Sequence, residues 1–136
     1  MKTFHTAVTL ALCGIALSFG EDKPVFPAGS LAHGEAAFTD LMCFRCHTLE
    51  NRDLPDFDLP AKLKIHLGGD AHALWTRDMF AQAIMNPQHM LSPQYQSVMI
   101  EAGDVKGAKE TPMPNFNQKL TVQQLIDLAT FLAGEK

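Results

Sequence analysis

The sequence has no excess of positive charge: 11 Lys and Arg stand against 15 Asp and Glu, a net charge of −4. That removes the electrostatic footprint of a nucleic-acid or anionic-membrane binder, so nucleic acid is not an expected partner. Also missing are a hydrophobic run long enough to span a bilayer easily, any sustained period-two alternation, and any internal repeat. The first absence argues against a membrane-spanning helix and the second against half-buried strands. With 136 residues, 46% of them hydrophobic and 19% charged, the chain has room for one compact domain and too little for two.

What is present begins with a leader. Lys2 is followed by a charge-free, mostly apolar stretch from Ala7 to Phe19, and Ser18-Phe19-Gly20 precedes Glu21-Asp22-Lys23. This pattern predicts a secretory signal peptide over residues 1–20, cleaved near Gly20, in preference to an uncleaved anchor. Cleavage takes away Lys2 alone among the charged residues, so the exported domain, 21–136 with a core of about 30–135, is more acidic than the whole. Cys13 lies within the apolar run, with Leu12 where a lipoprotein site would want a small residue, and reads as filler discarded with the leader. Two cysteines then remain, Cys43 and Cys46.

They belong to Cys43-Phe44-Arg45-Cys46-His47, and C-x-x-C-H is the pattern that attaches c-type haem. Two thiols three residues apart, on a turn opening a helix, reach the two vinyl groups of one porphyrin, and the following imidazole is carried under the iron. The competing readings are a structural disulfide, a dithiol redox pair and half a zinc site. Zinc wants a second ligand pair at motif spacing, which His33, His66, His72 and His89 do not form. A thioredoxin-like pair should follow a strand, whereas the residues before Cys43 read as helix. Export agrees with haem, because covalent attachment takes place outside the cytoplasm in bacteria.

At these residues the chain resembles the class I c-type cytochromes, over about residues 30–135. Gly34-Glu35-Ala36-Ala37-Phe38 lies in a helix ending at the Cys43–His47 motif. Thr111-Pro112-Met113-Pro114-Asn115-Phe116 is similar to the family's Met-Pro loop. The segment Leu120 to Leu132 is similar to its closing helix. The resemblance implies one covalent haem c, His47 and Met113 as the two axial iron ligands, and terminal helices that cross at a glycine.

The residues support helices on their own terms. Thr121 and Gln124 form a capping box, and Leu120 and Leu125 form a hydrophobic staple. Val122, Leu125, Ile126, Ala129 and Leu132 then recur at helical spacing as a core-facing stripe, widened by Leu128 and Phe131. From Leu31 to Met42, Leu31, Gly34, Phe38 and Leu41 share one side, and Gly34 permits a close crossing. A third helix is capped by Thr76, carries Asp78 in its first turn with Trp75 and Phe80 as staple, and ends at Asn86-Pro87. Ser92-Pro93 starts a shorter one through about Ile100. The expected fold class is therefore all-α, a small cytochrome c-like helical domain.

The sixth iron ligand decides function, because iron closed on both sides transfers electrons while an open position binds gases or peroxide. Met79, Met85, Met90 and Met99 read as packing residues. Met113 differs, since flanking prolines fix a non-helical backbone that can hold a thioether in place. The family also places a proline carbonyl on the ligand histidine's other nitrogen. Pro55 and Pro60 are both available here, neither after a glycine, and Pro60 is favoured because Leu63 follows it. The long middle, Leu67 to Lys109, is a second departure: it either covers the cofactor's second edge or forms a docking surface, and Asp104 to Glu110 reads as a solvated loop.

The expectation is a periplasmic electron carrier rather than an enzyme. One electron passes between a donor and an acceptor protein, and no stable membrane insertion follows removal of the signal. The other readings are the haem subunit of a larger oxidoreductase complex and, further off, a peroxidase-like or gas-binding protein with an open iron site.

Overall fold

The computed structural model describes residues 25–50, 52–55, 57–60 and 63–134. The signal peptide expected over residues 1–20, with Cys13, lies outside the described residues. Among those residues are four α-helices: α1 (Leu31–Asp40), α2 (Arg77–Met85), α3 (Pro93–Glu101) and α4 (Val122–Gly134). The domain is helical as expected. One short element was not anticipated: β1 (His47–Leu49) pairs in parallel with β2 (Ile65–Leu67), with His47 opposite Ile65 and Leu49 opposite Leu67. Three residues per strand are too few for alternation to be read from sequence.

The helices begin where their caps stand. The Thr121 N–H donates to Gln124 Oε1 at 3.0 Å and the Gln124 N–H returns to Thr121 Oγ1 at 3.1 Å, a closed capping box. Thr76 Oγ1 accepts from Met79 N at 3.3 Å and Ser92 Oγ from Tyr95 N at 3.4 Å, with Pro93 in the first turn of α3. The Asp78 carboxylate turns outward from α2 instead. It accepts from the Val25 and Phe26 amides at 2.7 and 3.0 Å, pinning the strap that leads into α1.

The core gathers Ala37 and Phe38 of α1, Phe80, Ala81 and Ile84 of α2, Leu49, and five residues of α4 from Leu125 to Leu132. Burying the Leu, Ile and Phe side chains among these stabilises by about 2 kcal/mol each, the alanines by less. Phe38 and Phe131 meet edge to face with centroids 6.0 Å apart. Gly34 makes this contact possible, because a Cβ there would strike the Asp127 carbonyl oxygen and lie 2.5 Å from Phe131 Cβ. Trp75 packs against the core and its ring centroid lies 5.0 Å from that of Phe80, as a staple should. Two expected core positions are exposed, Leu31 at 58% and Val122 at 72%. Each is the first residue of its helix, where the apolar stripe runs out past the packed layer.

The terminal helices are also joined by an acid. Asp127 is 3% exposed, and its Oδ1 accepts from the Ser30 amide at 2.8 Å and from Gln123 Nε2 at 2.9 Å. Thr130 Oγ1 accepts from Gly29 N at 2.8 Å one turn further on. α3 is different in kind: it buries no residue and packs on the turn Gly107–Lys109. No described helix is long and apolar enough to cross a membrane.

Candidate functional site

α1 ends at Asp40, and Met42 adopts a left-handed conformation, φ 55°, that swings the chain out of the helix. Cys43–Arg45 forms one 3-10 turn, closed by Cys46 N donating to Cys43 O at 3.2 Å. The motif thus sits on a turn that leaves a helix and enters a strand, rather than on one that opens a helix. Ile65 N donates to Cys46 O at 2.8 Å, so β2 fixes the position of the second cysteine and of His47 after it.

Both thiols are free, Cys43 half-buried against the core and Cys46 exposed. Burial, with the Cys46 charge adding to it, pushes the Cys43 thiol up to about 11, so it stays protonated at neutral pH. Burial pushes His47 down to about 4. The Ile65 carbonyl opposes this shift and the neighbouring His72 adds to it. His47 is therefore a neutral imidazole with a free lone pair at physiological pH, the form that ligates metals. Its Nδ1 is buried and has no hydrogen-bond partner.

His47 faces a cavity of about 320 Å³ shared with Phe44, Leu49, Leu54 and Pro55, whose charged lining is mixed: Arg52 and Lys64 with Asp53. Arg52 ties this wall to the helices: it meets Glu35 of α1 at 2.7 Å and lies over the Phe131 ring, 5.3 Å from its centroid. Met113 is half-buried and packs on the same core as Cys43 and Phe44. Sequence-distant residues are thus brought to one apolar body.

The bond expected from His47 to Pro60 is not made. Pro60 is exposed and its carbonyl accepts from Leu63 N at 2.8 Å, closing a turn on itself, while Pro55 is the proline that lines the His47 cavity. Among the described residues, no three His, Cys, Asp or Glu side chains gather as a metal cage. Residues missed by sequence reading are Arg52, which carries no local motif, and Gln88, whose partners lie 21 and 23 residues away. Comparison with protein-family models, with curated proteins and with solved structures finds no match to this chain.

Proposed function

We propose that this protein is a monohaem c-type cytochrome that carries single electrons between two proteins of the periplasm. The observation that carries the reading is the pair of unbridged thiols leading directly into a half-buried, neutral imidazole whose Nδ1 is shut off from water without a partner. A disulfide would use both thiols. A structural histidine in a core would have its ring nitrogens satisfied.

The residues fit the group that the motif implies. Cys43 and Cys46 would attach it through two thioethers. A protonated Cys43 suits that addition, since the vinyl group takes up both sulfur and hydrogen. His47 would hold the iron with its neutral nitrogen and Met113 with its thioether. Bound haem supplies a single iron that takes up and gives back one electron. The chain's own task is to keep both ligands in both oxidation states, so that little rearranges as the charge changes. Sulfur opposite imidazole favours the reduced state relative to two imidazoles. Phe44, Leu49 and Leu54 would exclude water on the His47 side, where Arg52, Asp53 and Lys64 form the polar part of the cavity wall. The crossing of α1 and α4 at Gly34 is the arrangement that the resemblance implies, and the acidic chain favours a partner with a basic patch.

The test is an absorption spectrum of protein matured in a host competent for c-type haem attachment. Covalent c-type haem in both oxidation states is expected. The oxidised form should show the weak sulfur-to-iron charge-transfer band, and Met113→Ala should lose it. A colourless product, or prompt binding of carbon monoxide by the ferrous form, would overturn the reading.

A further inference from the structure

The loop that carries Met113 cannot hold itself. Pro112 and Pro114 have no N–H, so Thr111 and Met113 supply the only backbone donors from residue 111 to 114. Both are spent on side chains. Thr111 N donates to Gln88 Oε1 at 3.0 Å, and Met113 N donates to Thr111 Oγ1 at 3.1 Å. The other half of the Gln88 amide, Nε2, donates to Lys109 O at 2.8 Å. One primary amide therefore grips the loop at both 109 and 111, as a neighbouring strand would, and the grip passes through Thr111 to the Met113 backbone.

Gln88 is itself placed. It follows Pro87 in the turn after α2, where His89 N donates to Asn86 O at 2.9 Å, and α2 is anchored in the core by Phe80, Ala81 and Ile84. The path from core to loop is then α2, Gln88, Thr111, Met113. Met113 contributes its own half-buried side chain to that core.

We infer that Gln88 is the positioning residue for Met113: its bidentate hold on Lys109 and Thr111 keeps the thioether docked, and so sets how often the iron loses that ligand. This rests on Met113 being the sixth ligand. The effect should appear as local opening of the loop and not as global unfolding, because Gln88 is exposed and its removal empties no core volume.

The experiment compares haem-loaded wild type, Gln88→Ala and Thr111→Val. Readouts are the charge-transfer band, the rate at which added imidazole binds the ferric iron, and hydrogen exchange at the Thr111 and Met113 amides. In Gln88→Ala the band is retained at neutral pH, imidazole is captured about tenfold faster, and Thr111 exchanges about tenfold faster, the scale set by losing one or two hydrogen bonds. Thr111→Val keeps the side-chain shape without the hydroxyl, speeds imidazole capture likewise, and deprotects Met113 while the amide of residue 111 stays bonded to Gln88 Oε1. Wild-type capture rates in both variants would overturn the clamp while leaving the ligand assignment standing. A wild-type protein with covalent haem but no charge-transfer band would overturn the assignment and the clamp with it.

Discussion

The helical side of the molecule and the side that carries the motif are held together by different means. In α1, α2 and α4, apolar side chains close on one another, and the one buried acid, Asp127, has its partners. From Cys43 to Leu67 the chain has a 3-10 turn, a pair of three-residue strands, a cavity, and a buried nitrogen without a partner. The first region is complete on its own terms. The second leaves one buried polar atom, His47 Nδ1, without a partner among the described residues, beside a cavity that its own side chains do not fill.

Substitutions can break or sharpen this contrast. The largest effect belongs at the helix crossing. Gly34→Ala, although favoured by helix propensity, pushes a methyl group into Asp127 and Phe131 and should cost about 3 kcal/mol in urea unfolding. Next is Asp127→Ala, which strands the Ser30 amide at the start of α1 and should cost about 2 kcal/mol, read as a lowered melting temperature.

The opposite sign is expected on the motif side. At the residue proposed as an iron ligand, His47→Leu replaces, in the chain without cofactor, an unpartnered buried Nδ1 with apolar volume. It should therefore stabilise by about 1 kcal/mol in the same unfolding assay. A loss of stability there would mean that the motif side is as self-sufficient as the helices. The smallest effect concerns the strap. Hydrogen bonds from Phe26 and Val25 hold Asp78 below its ordinary 3.8, so the folded chain binds that proton less readily than the unfolded one. Its contribution is fully present above pH 3.8 and fades as pH falls below it. Exchange of the Val25 and Phe26 amides should quicken across that window in wild type and be fast at all pH in Asp78→Ala.

The same contrast explains what was legible in the sequence. α2, α3 and α4 announce themselves through Thr76, Ser92-Pro93 and Thr121 at their starts, and α1 and α4 through a 3.6-residue stripe, signals that act over one or two turns. The Cys43-Phe44-Arg45-Cys46-His47 motif could be read because its residues are contiguous in the chain. Asp127 was not, since a polar residue between Ile126 and Leu128 looks like a stripe's edge until Ser30 is seen to meet it. Gln88 and Arg52 were invisible for the same reason: each acts on a residue far along the chain. Pro60 was preferred to Pro55 from the spacing to Leu63, but a carbonyl's direction depends on the turn it closes, and this one closes on Leu63.

The pairing of α1 with α4 has a kinetic side. Gly29 and Ser30 bond to Thr130 and Asp127 across 101 and 97 residues, so the joint between α1 and α4 spans most of the chain. Such a contact is closed late, after the entropy of a very large loop has been overcome. Until α4 arrives, the Cys43 turn lies at the open end of an unfinished chain. Only Cys43 gains cover when that joint closes, while Cys46 stays open to solvent in the finished fold, so the two thiols of one motif differ in when they can be reached.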